Sequence, residues 1–150
     1  MLPHSTFSKE EGSLFYIYTM TGETNLTTLL KNMTPVLNEG DYVYCTVSSP
    51  HAINTVHILG LFKEAEGFTT ILKKEIADQL QLDYSYIAAW ITLTIHSSLA
   101  ATGLTAAFAT ALAQEDISCN VVAAYYHDHI FVAKEDANRA MTALKKLSNQ

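Results

Sequence analysis

Positive charge is scarce in this sequence: nine Lys plus Arg stand against fifteen Asp plus Glu, a net charge of −6. The basic residues occur singly or as the pairs Lys73/Lys74 and Lys145/Lys146. No basic patch is offered to a phosphate backbone, so nucleic acid is not an expected partner. Long apolar runs are also missing. A membrane span needs about 20 consecutive apolar residues, whereas the best stretch, Ala106 to Ala113, is short and broken by Thr110. The opening, Met1 to Gly12, carries Pro3, His4, Lys9, Glu10 and Glu11 in place of the apolar centre of a signal peptide. No membrane partner is expected, and the cytoplasm is the expected location. Cysteine is limited to Cys45 and Cys119, each inside an apolar run; both read as reduced, buried, structural thiols. Neither a glycine-rich phosphate loop nor a G-x-S-x-G nucleophile elbow occurs, which leaves catalysis without a motif and no cofactor to expect.

What is present is a globular composition, 49% hydrophobic and 16% charged, long enough for one ordinary domain or two small ones with thin cores. Residues 14–19 are β-branched and aromatic between Gly12 and Gly22 and read as a strand. Leu26, Leu29, Leu30 and Met33 recur at helical spacing, with Thr24 or Asn25 as N-cap and Pro35 beyond the end. Strands are expected over 41–47, 57–65 and 68–72, the last two joined through Glu66-Gly67, followed by a short helix around Ile76, Ala77 and Leu80.

A boundary is expected near 83–87. Residues 88–96 then alternate strictly, Ile91, Leu93 and Ile95 on one face and Trp90, Thr92, Thr94 and His96 on the other. Trp90 suggests that this second face is packed, through a contact between the halves or between chains. After a loop over 97–103 comes a helix with the stripe Leu104, Ala107, Phe108, Ala111 and Leu112. A strand over 119–126, a tight turn at His127-Asp128, a strand over 129–133 and a closing helix complete the chain. That helix aligns Ala137, Ala140, Met141, Leu144 and Leu147, with Glu135 and Asp136 at its start and Lys145 and Lys146 at its end to suit its dipole.

Each half therefore reads as strand, helix, two strands, helix, a ferredoxin-like order that lacks its last strand. The expected fold class is α+β: two tandem, interlaced ferredoxin-like domains, over 14–83 and 84–150, after an N-terminal extension over 1–13. The second half must take its fourth strand from the other half or from the N-terminal segment.

Three parts of the C-terminal half carry a resemblance: Trp90 to His96, the segment Ser97-Ser98-Leu99-Ala100-Ala101-Thr102-Gly103-Leu104-Thr105-Ala106, and Ile117 to Val132 with its His127-Asp128-His129 turn. With Thr21-Gly22-Glu23-Thr24 through Leu30, 41–47 and 62–72, they resemble a bacterial family of uncharacterised proteins built from two ACT domains. The likeness runs from about residue 20 to the end. It implies domains similar to those of regulatory aspartokinases and CASTOR-type arginine sensors, which bind amino acids where paired domains meet. A small-molecule ligand, a homodimer and a separate regulated protein are the partners it implies.

The residues suggest where such a ligand would sit. The loop His96, Ser97, Ser98, Leu99 to Gly103 and Leu104 leads into a helix N-terminus, whose unpaired N–H groups suit a carboxylate. The strand residues Asn120, Val121 and Val122 would form an opposite wall by analogy with the family's pairing, with His127 and Asp128 alongside. The plainer alternative is that Ser98 or Thr102 caps the helix and Gly103 only makes the turn. His127, Asp128, His129 and His96 also admit a metal reading, against which stands the lack of a partner Cys or His at a recognisable spacing for a four-ligand site. A small His/Asp enzyme and a ligand-free dimerisation module remain as rivals.

Overall fold

The computed structural model describes residues 24–95 and 102–149. The expected strand over 14–19, and the candidate residues His96, Ser97, Ser98 and Leu99, lie outside these.

Helix α1 (Leu26–Asn32) starts where the Asn25 side chain accepts from the Thr28 amide at 3.0 Å, and it stops two residues short of Pro35, whose ring and missing N–H cannot continue a helix. The chain continues through β1 (Pro35–Leu37), β2 (Tyr42–Val47), β3 (Ile58–Lys63), β4 (Phe68–Lys73), α2 (Lys74–Gln79), β5 (Ile87–Leu93), α3 (Leu104–Ala113), β6 (Cys119–Ala123), β7 (Asp128–Ala133) and α4 (Ala137–Ser148). Among the described residues no helix is long and apolar enough to cross a membrane.

The seven strands form one sheet in the order β3-β4-β2-β5-β7-β6, with β1 also on β5. Strand β5 is the seam. One edge pairs with β7 from Ala88↔Ala133 to Leu93↔Asp128. Its other edge is divided between β2, through Tyr42↔Ala88 and Val43↔Ile87, and β1, through Pro35↔Leu93 to Leu37↔Ile91. The C-terminal unit thus reads β6-β7-β5-β1, and its fourth strand is supplied by the N-terminal half, as the interlaced expectation required. The N-terminal unit reads β3-β4-β2-β5. Where a crossover helix would follow β2, it has two 3-10 turns, Pro50–Ala52 and Thr55–His57.

Alternation along β5 sorts its side chains as period two demands. Ile91, Leu93 and Ile95 join Ile130 and Val132 beneath Leu29 and Met33, Leu104, Phe108 and Leu112, and Ala140 and Leu144. Phe108 is fully buried here, a burial that contributes about 1.5–3 kcal/mol. The helix spacing over 26–33 is thus correct, but α1 packs into the core of the C-terminal unit. An apolar stripe says that a helix has a buried face, not which sheet it covers. A smaller cluster sets Ala77 of α2 on Val43, Cys45, Val47 and Leu72. Cys45 is buried and Cys119 half-buried, both free, and burial pushes both thiols above their ordinary pKa.

On the sheet's second face Tyr42, Ile71, Ala88 and Phe131 gather with Tyr44, Tyr86 and Trp90, and among the described residues no helix contributes to this cluster. Trp90 meets Tyr42 edge to face at 5.3 Å and stacks on Phe131 at 6.4 Å. The packed face inferred from Trp90 is therefore a contact between the two units within one continuous sheet.

Candidate functional site

Gly103 is the N-cap of α3, with φ +94°, and makes no side-chain cap. That left-handed backbone is free of strain only for glycine. An added Cβ would also lie 3.0 Å from Leu26 Cδ2 of α1, so Gly103 sets both the turn and the α1–α3 approach. A bulky residue there disturbs folding as well as any ligand. Leu104, next in sequence, has its side chain buried in the main core, which leaves only its backbone N–H to a ligand. Gly103 closes one end of a groove of about 580 Å³ that runs between α3 and α4 past Ala107, Thr110, Gln114 and Lys146.

The β6–β7 hairpin is placed differently from its expected form. Its turn is at residues 124–127, closed by the Ala124 amide on the His127 carbonyl at 3.1 Å, with Tyr125 and Tyr126 at the tip, rings perpendicular at 4.8 Å. Asp128, expected in the turn, opens β7 and is buried opposite Leu93 and Ala123. The apolar, β-branched character of Val121 and Val122 runs out at Ala123, so the chain turns earlier than the His-Asp pair suggests. His127 Nδ1 lies 3.4 Å from the Ile95 carbonyl, to which it is placed to donate. The hairpin thereby meets the end of β5, next to the start of the candidate loop.

The three residues of the supposed opposite wall do not share a face. Val121 packs on the helix-side core. Asn120 and Val122 are exposed and, one residue either side of Val121, face the other side of the sheet. Asn120 Nδ2 donates to the Phe131 carbonyl at 3.4 Å. Within one chain, Asn120 and Val122 are thus separated from the α3 N-terminus by the sheet itself.

The sequence reading missed the polar network around His129. The Trp90 indole N–H donates to His129 Nδ1 at 3.1 Å, the Thr92 hydroxyl lies 3.2 Å from the same nitrogen, and Asn38 Nδ2 donates to Thr92 Oγ1 at 2.9 Å. An acceptor Nδ1 places the ring proton on Nε2. Burial and His127 hold the His129 pKa below its ordinary value, against Asp128, which raises it. The pairing of Trp90 with a histidine 39 positions away has no signature in either local sequence. Among the described residues, no group of three or more His, Cys, Asp or Glu side chains is arranged to hold a metal ion.

Two family models, each described as an ACT domain, match residues 21–89 and 85–146. Among solved structures, a protein of unknown function from Vibrio cholerae, described as a possible transport protein, is 48% identical, covering 82% of this chain and 95% of that one with a TM-score of 0.74. The ligand-free regulatory subunit of aspartate kinase from Thermus thermophilus is 11% identical, with 78% and 98% covered and a TM-score of 0.60. A protein from Agobacterium tumefaciens is 16% identical, with 77% and 89% covered and a TM-score of 0.59. At these lower identities the likeness is one of fold. No curated protein matches the sequence.

Proposed function

Because the chain belongs to the ACT-domain family, with two such domains in tandem, we propose that it is a non-catalytic regulatory protein of the cytoplasm that binds a small metabolite of the amino-acid type. Its site is the cradle formed by the β5–α3 loop, from His96, Ser97, Ser98 and Leu99 to Gly103, with His127 beside it. The ligand carboxylate meets the first-turn N–H groups of α3, where peptide dipoles concentrate partial positive charge. A homodimer and a separate protein that responds to the bound state complete the reading.

The observation that carries it is Gly103. A helix whose N-cap has no side chain, at the end of a groove, leaves its first N–H groups without a side-chain cap from its N-cap residue. Among the described residues the N-terminal unit has no equivalent, since two 3-10 turns replace the helix after β2. One cradle per chain is therefore expected. The test is a thermal-shift screen of the metal-stripped protein against the twenty amino acids, nucleotides and common metabolites. A ligand that binds only the native state raises the melting temperature. One or two amino acids should raise it, with affinity reduced in His127→Ala and in Gly103→Ala at a temperature where both stay folded. No shift with any compound would favour the ligand-free dimerisation module, and an affinity indifferent to both variants would move the site elsewhere.

A further inference from the structure

A second cavity, of about 350 Å³, lies where β2, β3 and β5 approach the start of α2; Tyr42, His57, Leu59, Lys73, Glu75 and Trp90 are among its lining. It shares none of the cradle residues. Three observations distinguish it from an incidental hollow.

The first is its aromatic corner. The Tyr42 and Trp90 rings stand at 80° to one another, and the polar atom of each is already engaged: the Tyr42 hydroxyl donates to the Glu39 carbonyl at 3.0 Å and the Trp90 indole N–H to His129. Tyr42 is buried and backs Trp90, which is half-buried and offers a ligand π surface and no hydrogen bond. Secondly, Lys73 Nζ and Glu75 Oε1 are 4.0 Å apart, too far for a hydrogen bond, so both retain their capacity for a ligand. Thirdly, the β3–β4 register breaks between Ile58 and Gly60, which leaves Leu59 as an extra residue turned to the cavity. Bulges of this kind re-aim side chains beside sites. Leu59 and Val56 remain 39% and 77% exposed at the rim, apolar surface that a ligand would cover.

We propose that this cavity binds a small zwitterion. The carboxylate is held by Lys73, and the ammonium by Glu75 and the Trp90 ring, which attracts cations electrostatically. Because both charged side chains are exposed, affinity is expected in the millimolar range.

Trp90 is the only tryptophan, so its fluorescence reports on the cavity. The full-length protein is titrated with glycine betaine, whose methylated ammonium and carboxylate match the two halves of the site, and with choline and acetate as half-ligands. Betaine should give a saturable change, with each half-ligand at least about tenfold weaker. Lys73→Met and Glu75→Gln should each weaken betaine by about the same factor. Circular dichroism checks that the variants are folded. Absence of a saturable change overturns the proposal, as does a change that persists undiminished in Lys73→Met. Neither result bears on the α3 cradle, which His127→Ala tests separately.

Discussion

The Trp90 indole donates its N–H to the unprotonated Nδ1 of His129 at 3.1 Å, across the β5–β7 pair. A protonated imidazole cannot accept that bond. Burial and the neighbouring His127 lower the His129 pKa in the folded chain, whereas the unfolded chain takes up a proton near pH 6.5. Between those two pKa values the unfolded state binds more protons, so stability rises with pH. The contribution is complete above about pH 6.5 and is lost as pH falls through the lower folded value. Denaturant midpoints measured from pH 8 downward should fall as His129 gains its proton, with a parallel change in Trp90 fluorescence. His129→Gln should flatten both responses; an unchanged acid limb in that variant would assign the titration to another group.

Leu29 tests the interlacing. It belongs to the N-terminal half yet is fully buried with Phe108 and Leu144 of the C-terminal unit. Leu29→Ala should cost about 2–5 kcal/mol and shift a single unfolding transition, with circular dichroism and Trp90 fluorescence coincident. If the probes separate, the two units unfold independently and β5 is not an energetic seam.

Much of this architecture was legible because hydrophobic period follows backbone geometry. Ile91, Leu93 and Ile95 alternate with Trp90 and Thr92, and the structure separates them onto two faces. Leu104, Phe108 and Leu112 repeat at helical spacing and are the buried face of α3. The short strand β1 went unread because three residues, Pro35, Val36 and Leu37, give no period; the edge of β5 beside Leu93 and Ile91 recruits them. The candidate site was legible only where local chemistry dictates it, as at Gly103. That Asn120 and Val122 face away from α3, or that His129 meets Trp90, depends on strand register, which no single segment encodes.

Gly103→Ala separates conformational from steric cost. With φ +94°, any L-residue incurs the left-handed penalty of about 1–2 kcal/mol. Its Cβ would also press on Leu26 Cδ2 at 3.0 Å. Chemical denaturation should show a loss at least as large as the backbone penalty. Combining Gly103→Ala with Leu26→Ala should cost less than the sum of the single changes, because the second removes the atom that the first meets. Additive costs would mean that the Leu26 side chain yields without resistance and that the backbone alone accounts for the effect.

Tyr44 and Tyr86 lead to a prediction of opposite sign. Both hydroxyls are buried without a hydrogen-bond partner among the described residues, and burial, with the neighbouring Tyr86, pushes the Tyr44 pKa up to about 12. A phenol that gives up its water and gains no partner bears a desolvation cost of about 1–3 kcal/mol. Its ring, by contrast, stabilises: Tyr44 packs edge to face on Phe131 at 5.6 Å. Tyr44→Phe and Tyr86→Phe keep the rings and remove the unpaired oxygens, so each should raise the melting temperature or leave it unchanged, whereas Tyr44→Ala should lower it. A clear drop in either phenylalanine variant would mean that the hydroxyl has a partner in solution, and deuterium exchange at that phenol would then report how well it is protected.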